Sequence, residues 1–79
     1  MIRVLFFGPV ADRVQARELQ LEFVPGMTLQ KLLARLEAQY PNAFGIVSFT
    51  AINQSQVHDQ QTVLHDNDEI AFMAKFSGG

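Results

Sequence analysis

Thr28-Leu29-Gln30-Lys31-Leu32-Leu33-Ala34-Arg35-Leu36-Glu37-Ala38-Gln39-Tyr40-Pro41 is the stretch whose reading decides the fold, because its apolar residues repeat at a helical period. Leu32, Leu33, Leu36 and Tyr40 follow Leu29 at spacings of 3, 4, 7 and 11, which places all five on one face of a helix. Gln30, Lys31, Arg35, Glu37 and Gln39 occupy the remainder. Thr28 stands where an N-cap belongs, since its hydroxyl can accept from an unsatisfied backbone N–H of the first turn. Pro41 stops the helix, because the residue before a proline is pushed out of the α region. The spacing therefore predicts one amphipathic helix over about 28–40, with its leucine stripe laid on a sheet.

The flanking segments supply that sheet. Upstream, Ile2 to Phe7 is apolar on both faces with Arg3 its only charge, the pattern of an interior strand. Ile2, Val4 and Phe6 share one face, and Leu5 and Phe7 the other. Gly8-Pro9 ends this strand, and Pro9 to Val14 suits a short helix with proline in its first turn. Glu18 to Phe23 alternates, with Leu19, Leu21 and Phe23 inward, and Pro25-Gly26 turns the chain. Downstream, residues 42–47 read as a loop from which Phe44, Ile46 and Val47 tuck beneath the sheet. Phe49 to Asn53 reads as a third strand, Asn53 to Gln56 as a turn, and Val57 as the start of a short return strand. Asp59 to Leu64 makes a small excursion, and Asp66-Asn67-Asp68 a turn. Glu69 to Phe76 is the last strand, with Ile70, Phe72 and Ala74 opposed to Ala71, Met73 and Lys75. The order is strand, strand, helix, strand, short strand, strand. It resembles the β-grasp arrangement of ubiquitin-like proteins, which implies an α+β chain: a mixed sheet of about five strands, the first and last central, with one main helix on one face. One helix cannot cover two faces, so Phe7 and Met73 are expected on or near the bare one, as a candidate docking surface.

Composition narrows the function. The 79 residues make one domain, 1–79, near the lower size limit for a core without metals or disulfides. With 48% hydrophobic residues, seven Phe and 18% charged residues, the chain has material for a core and too little charge for disorder. It has no cysteine, which excludes a disulfide framework, a zinc–thiolate site and a persulfide carried on this chain. A net charge of −2 with six scattered Lys and Arg gives no footprint for nucleic acid or an anionic membrane. No apolar run approaches the ~20 residues that span a bilayer, and Gly8-Pro9 interrupts the opening too early for a signal peptide, so a cytoplasmic protein is expected. His58 and His65 lie seven apart across irregular structure with nothing to aim them together, so no metal site is expected. Asp66-Asn67-Asp68-Glu69 lacks the glycine and distal glutamate of a calcium loop. There is no phosphate-binding glycine loop and no nucleophile motif, and hence no catalytic apparatus of the chain's own.

What remains is the end, Phe76-Ser77-Gly78-Gly79. Two glycines carry no Cβ, so a carboxylate on Gly79 could enter a channel too narrow for other residues. The alternative is a frayed, functionless end of small residues.

With the tail added, the chain resembles the ubiquitin-like sulfur carriers, and within them the small subunits of molybdopterin synthase. The resemblance spans essentially the whole sequence. It rests on Ile2-Arg3-Val4-Leu5-Phe6-Phe7, on Ala51-Ile52-Asn53-Gln54, on Leu64-His65-Asp66-Asn67-Asp68-Glu69-Ile70-Ala71-Phe72 and on Ser77-Gly78-Gly79. Two departures stand out: Asn67 where the family usually has glycine, and Ala74-Lys75 where it often has two prolines. Asparagine tolerates positive φ, so the turn should survive; the second departure bears on how stiffly the tail is held.

The resemblance implies a chemistry centred on Gly79. An E1-like adenylyltransferase would join its carboxylate to AMP from ATP, and a persulfide sulfur from a cysteine desulfurase or rhodanese-like donor would displace AMP. The resulting thiocarboxylate would deliver sulfur to cyclic pyranopterin monophosphate, in an active site furnished mainly by the large subunit of a heterotetrameric synthase. No cofactor is permanently bound in this scheme. Ser77 and Gly78 keep the path narrow, and Phe7, Met73, Lys75 and Phe76 are the implied partner contacts. From Ala74 to Gly79 an extended chain reaches about 20 Å into a partner. Three other readings stay open: a thiamin-pathway carrier delivering sulfur to a thiazole, a ubiquitin-like module that conjugates or binds other proteins, and a plain structural domain.

Overall fold

The computed structural model describes residues 1–75. In chain order the elements are β1 (Ile2–Phe6), α1 (Pro9–Val14), β2 (Glu18–Leu21), α2 (Leu29–Gln39), a 3-10 turn (Phe44–Ile46), β3 (Val47–Ile52), β4 (Ser55–Gln56) and β5 (Glu69–Ala74). The five strands form one sheet in the order β2-β1-β5-β3-β4. β1 and β5 are central and parallel; every other pairing is antiparallel. This is the expected mixed sheet with one main helix.

α2 forms where the leucine period places it. The Thr28 hydroxyl accepts from Lys31 N–H at 3.3 Å and caps the first turn, and Tyr40 ends the helix one residue before Pro41. Leu29, Leu32 and Leu36 are buried, while Leu33 and Tyr40 at the margin of the stripe are half-buried. Beneath them lie Ile2, Val4 and Phe6 of β1 and Ile70 and Phe72 of β5, all at most 2% exposed. Burying each such side chain is worth roughly 1.5–3 kcal/mol, which is how so short a chain gains its core.

Several boundaries differ from the sequence reading, each because pairing sets them. β2 stops at Leu21 rather than Phe23, because Leu21 pairs with Ile2 and β1 offers no residue beyond it. β3 begins at Val47, drawn into the sheet opposite Ala74, with an irregularity before Phe49. The segment 42–47 is not all loop, since Phe44–Ile46 makes a 3-10 turn that buries Phe44. The return strand is Ser55–Gln56 and not a strand from Val57. Asn53 and Gln54 both take positive φ, 50° and 71°, so a two-residue turn sets Ser55 directly opposite Ile52. β5 is described to Ala74; the expected extension to Phe76 lies outside the described residues.

Two of the segments that carried the resemblance meet in space. Asp68, 8% exposed, accepts from Asn53 Nδ2 at 2.9 Å and from the backbone N–H of His65 at 2.8 Å. Asn53 Oδ1 in turn accepts from Glu69 N–H at 3.0 Å. The β3–β4 turn is thereby fastened to the start of β5. Asn67 sits in the turn that leads into β5, at φ 71°, the left-handed angle for which asparagine substitutes for glycine.

Candidate docking face and tail exit

Because side chains alternate across a strand, the register determines what the bare face of the sheet carries. Phe49 pairs with Met73, Ala51 with Ala71, and Leu5 with Ala71 from the other side. Phe7 N–H donates to the Phe72 carbonyl at 3.2 Å, which carries the same alternation one residue beyond β1. Leu5, Phe7, Phe49, Ala71 and Met73 therefore stand together opposite α2. Phe7 is 49% exposed and Phe49 40% exposed, unusual fractions for large apolar side chains. Phe7, Gly8, Pro9, Met73 and Ala74 also line a shallow apolar cleft, at the end of the sheet from which the chain leaves β5. Gly8 makes the corner: its φ of 56° with ψ of −134° is a backbone state that disfavours a side chain, and from it Pro9 starts α1.

The residues behind this face anchor it to the core. Phe6, Phe44 and Phe72 point inward and form an aromatic triangle, with ring centroids 6.2 Å apart for Phe6–Phe44, 6.2 Å for Phe6–Phe72 and 5.1 Å for Phe44–Phe72. The two edge-to-face contacts are the favoured geometry of the ring quadrupole. Phe6 and Phe72 are thus the buried alternates of Phe7 and Met73. The end of β5 is anchored by ring packing, and Ala74 is itself 9% exposed.

The other half of the bare face is charged. The Arg3 guanidinium lies 3.1 Å from a Glu18 oxygen and 3.2 Å from a Glu69 oxygen. Its hydrogen bond to Glu18, then the charges of Glu18 and Glu69, push the arginine further up from its ordinary value. These groups are exposed, so the cluster acts as a polar border and contributes little to stability.

Phe7 and Met73 are thus brought together as expected, and Lys75 is exposed immediately after β5. Phe76, Ser77, Gly78 and Gly79 lie outside the described residues. Phe49 was missed as a member of the face, although its alternation with Thr50 and Ile52 was the available signal. His58 and His65 are both exposed, and among the described residues no three potential ligands gather to hold a metal. Among the described residues, too, no helix is long and apolar enough to cross a membrane.

A family model for ThiS matches residues 4–79. The chain belongs to the ThiS family. No curated protein sequence matches it significantly. Among solved structures, the ThiS-family chain is similar to SAMP1 from Haloferax volcanii, with a TM-score of 0.84 at 16% identity over 99% of this chain and 98% of that one. It is similar to a putative molybdopterin converting factor subunit 1 from Pyrococcus furiosus, with a TM-score of 0.83 at 15% identity over 95% and 97%. It also matches a chain in the complex of subunits 1 and 2 of the molybdopterin-converting factor from Helicobacter pylori, with a TM-score of 0.75 at 24% identity over 99% and 97%. At these identities the likeness is one of fold, the β-grasp, ubiquitin-like fold.

Proposed function

We propose that this ThiS-family chain is the sulfur-carrying small subunit of a molybdopterin synthase. The observation that carries the proposal is the apolar face of Phe7, Phe49 and Met73, set beside the point where β5 ends and the chain continues towards Gly79. A docking surface next to an emerging tail suits a protein that is grasped by its body while its end reacts elsewhere. The resemblance to one component of the Helicobacter pylori subunit 1 and 2 complex supports a large-subunit partner. A cytoplasmic location fits this role.

The reaction assigned to the tail needs no side chain of this protein. A Gly79 carboxylate oxygen attacks the α-phosphorus of ATP, held by an E1-like partner, and expels pyrophosphate. The terminal sulfur of a donor persulfide then attacks the acyl carbon of the adenylate, and AMP leaves. A second thiol cleaves the acyl disulfide, forming a new disulfide with the donor cysteine and leaving a thiocarboxylate on Gly79. That sulfur is the nucleophile delivered to cyclic pyranopterin monophosphate. A carboxylate is not itself displaced by sulfur, because oxide is a poor leaving group; this is why activation comes first.

Incubation with the activating enzyme, ATP and a sulfur donor is expected to raise the mass by about 16 Da at the C-terminus, the exchange of one oxygen for sulfur on an activated acyl group. Deleting Gly79 is expected to abolish that gain and leave the thermal midpoint unchanged. A constant mass in the full-length chain would overturn the carrier assignment.

The second reading is a protein modifier. It is favoured by SAMP1 from Methanosarcina acetivorans, a small archaeal modifier protein matched at a TM-score of 0.80, and by Urm1 from Trypanosoma brucei, matched at 0.78. The thiocarboxylated chain separates the readings. Conversion of the pterin by the large subunit supports the first, sulfur appearing in a thiazole supports the thiamin alternative, and a lysine-linked adduct supports conjugation.

A further inference from the structure

The sheet has a second open feature, at the opposite end from Lys75. β2 is an edge strand, paired with β1 alone. The N–H groups of Arg3 and Phe7 donate towards the β5 side, to Asp68 and Phe72, whereas Phe6 N–H donates to Arg17 on the β2 side. By the alternation of an antiparallel ladder, Leu19 and Leu21 exchange bonds with β1 while Glu18 and Gln20 turn their N–H and C=O groups outward. Among the described residues no backbone group meets them.

This edge borders a groove. Leu19, Leu21 and Phe23 face α2 yet stay half-buried, so the helix does not fully cover them. At the far end Val24, Pro25, Gly26 and Met27 make an apolar recess with Lys31 and Arg35, and Val24 is 52% exposed. Lys31 and Arg35 are one turn apart on the flank of α2 that lines this recess, just past the end of β2. Both are exposed, and among the described residues neither has an ion-pair partner. The one acid of α2, Glu37, lies on the opposite flank, where it lines a different recess. The groove thus combines unpaired strand hydrogen bonds, an apolar floor and uncompensated positive charge.

We infer that the β2–α2 groove binds an extended peptide that adds a strand to β2, placing apolar side chains against Leu21 and Val24 and carboxylates beside Lys31 and Arg35. Strand addition takes affinity from backbone bonds and specificity from alternate side chains, here selected by the charge of the groove. A second copy of this chain is the wrong occupant. Edge-to-edge pairing of two β2 strands would bring the acids of Glu18 and Glu22 from each copy together on the outer face, a repulsion that disfavours self-association. The groove lies at the Ile2 end of β1, whereas Lys75 leaves at the Phe6 end. The peptide partner therefore binds while the tail end is occupied, which makes this site additional to the docking face.

The probe is the capped peptide Ac-Val-Thr-Leu-Thr-Glu-Thr-Glu-NH2, whose one face carries Val, Leu, Glu and Glu and whose other face carries only threonine. Its control has lysine for both glutamates. Titrated into the full-length chain labelled with nitrogen-15, the acidic peptide is expected to shift the amides of Glu18, Gln20 and Glu22 and those around Val24. Binding should weaken about tenfold or more between about 50 and 500 mM NaCl, and by a similar factor in the K31E/R35E double variant. Both substitutions are at exposed helix positions and should leave the circular dichroism spectrum unchanged. Gln20→Pro removes an outward N–H that pairs with nothing in the fold and is expected to abolish binding. Equal binding of the lysine control, undiminished binding by Gln20→Pro, or shifts confined to Phe7 and Met73 would each overturn the inference. So would no binding of the acidic peptide at millimolar concentration.

Discussion

Asp68 shows how much a single side chain decides at this size. Its two oxygens receive Asn53 Nδ2 and the His65 N–H, at 2.9 and 2.8 Å, so one side chain ties together the β3–β4 turn and the turn that leads into β5. Asp68→Ala leaves these part-buried donors without their acceptor, at an expected cost of about 1–3 kcal/mol, measured as a lower urea midpoint with unchanged slope. From the sequence, Asp66-Asn67-Asp68 was legible as a turn with positive φ tolerated at Asn67. That Asp68 reaches Asn53, fifteen positions earlier, was not legible, because no local pattern encodes which distant amide a carboxylate will meet.

The elements follow local chemistry where they are long and periodic, and pairing where they are short. α2 was readable to within a residue at each end because its stripe, its cap and Pro41 all agree. Its stability resides in the stripe rather than in propensity, since an isolated helix of eleven residues is marginal in water. Leu36→Ala opens a cavity at a fully buried position and is expected to cost about 2–5 kcal/mol in denaturant unfolding, a large part of the stability of a small domain. The strand limits were less readable. β2 ends where β1 has no more partners, and β4 is fixed by the left-handed pair Asn53-Gln54 rather than by the apolar Val57. These are properties of a neighbouring strand or of a turn, not of the strand's own residues.

At the scale of the whole molecule, the described residues divide into a helix-covered core face and a bare face, with β5 ending beside the apolar half of the latter. Phe7 and Phe72 make the contrast testable. Phe72→Ala is expected to unfold much of the population, because it removes a fully buried ring that packs on both Phe6 and Phe44. Phe7→Asp, at a half-exposed position, is expected to leave the thermal midpoint nearly unchanged while, under the proposed function, weakening affinity for a synthase large subunit by about tenfold or more, read by calorimetric titration. Equal loss of folding and binding would return Phe7 to the core. The sequence by itself determined the helix, the alternating strands and the left-handed turn at Asn67, because each depends on residues near one another along the chain. Only the tertiary structure decided that Phe49 joins Phe7 and Met73, that Asn53 holds Asp68, and that Lys31 and Arg35 line a recess with Val24 to Met27, just past the end of the edge strand β2. Those relations depend on sheet order and register, and register is set by the sum of contacts across the whole core rather than by any segment read alone.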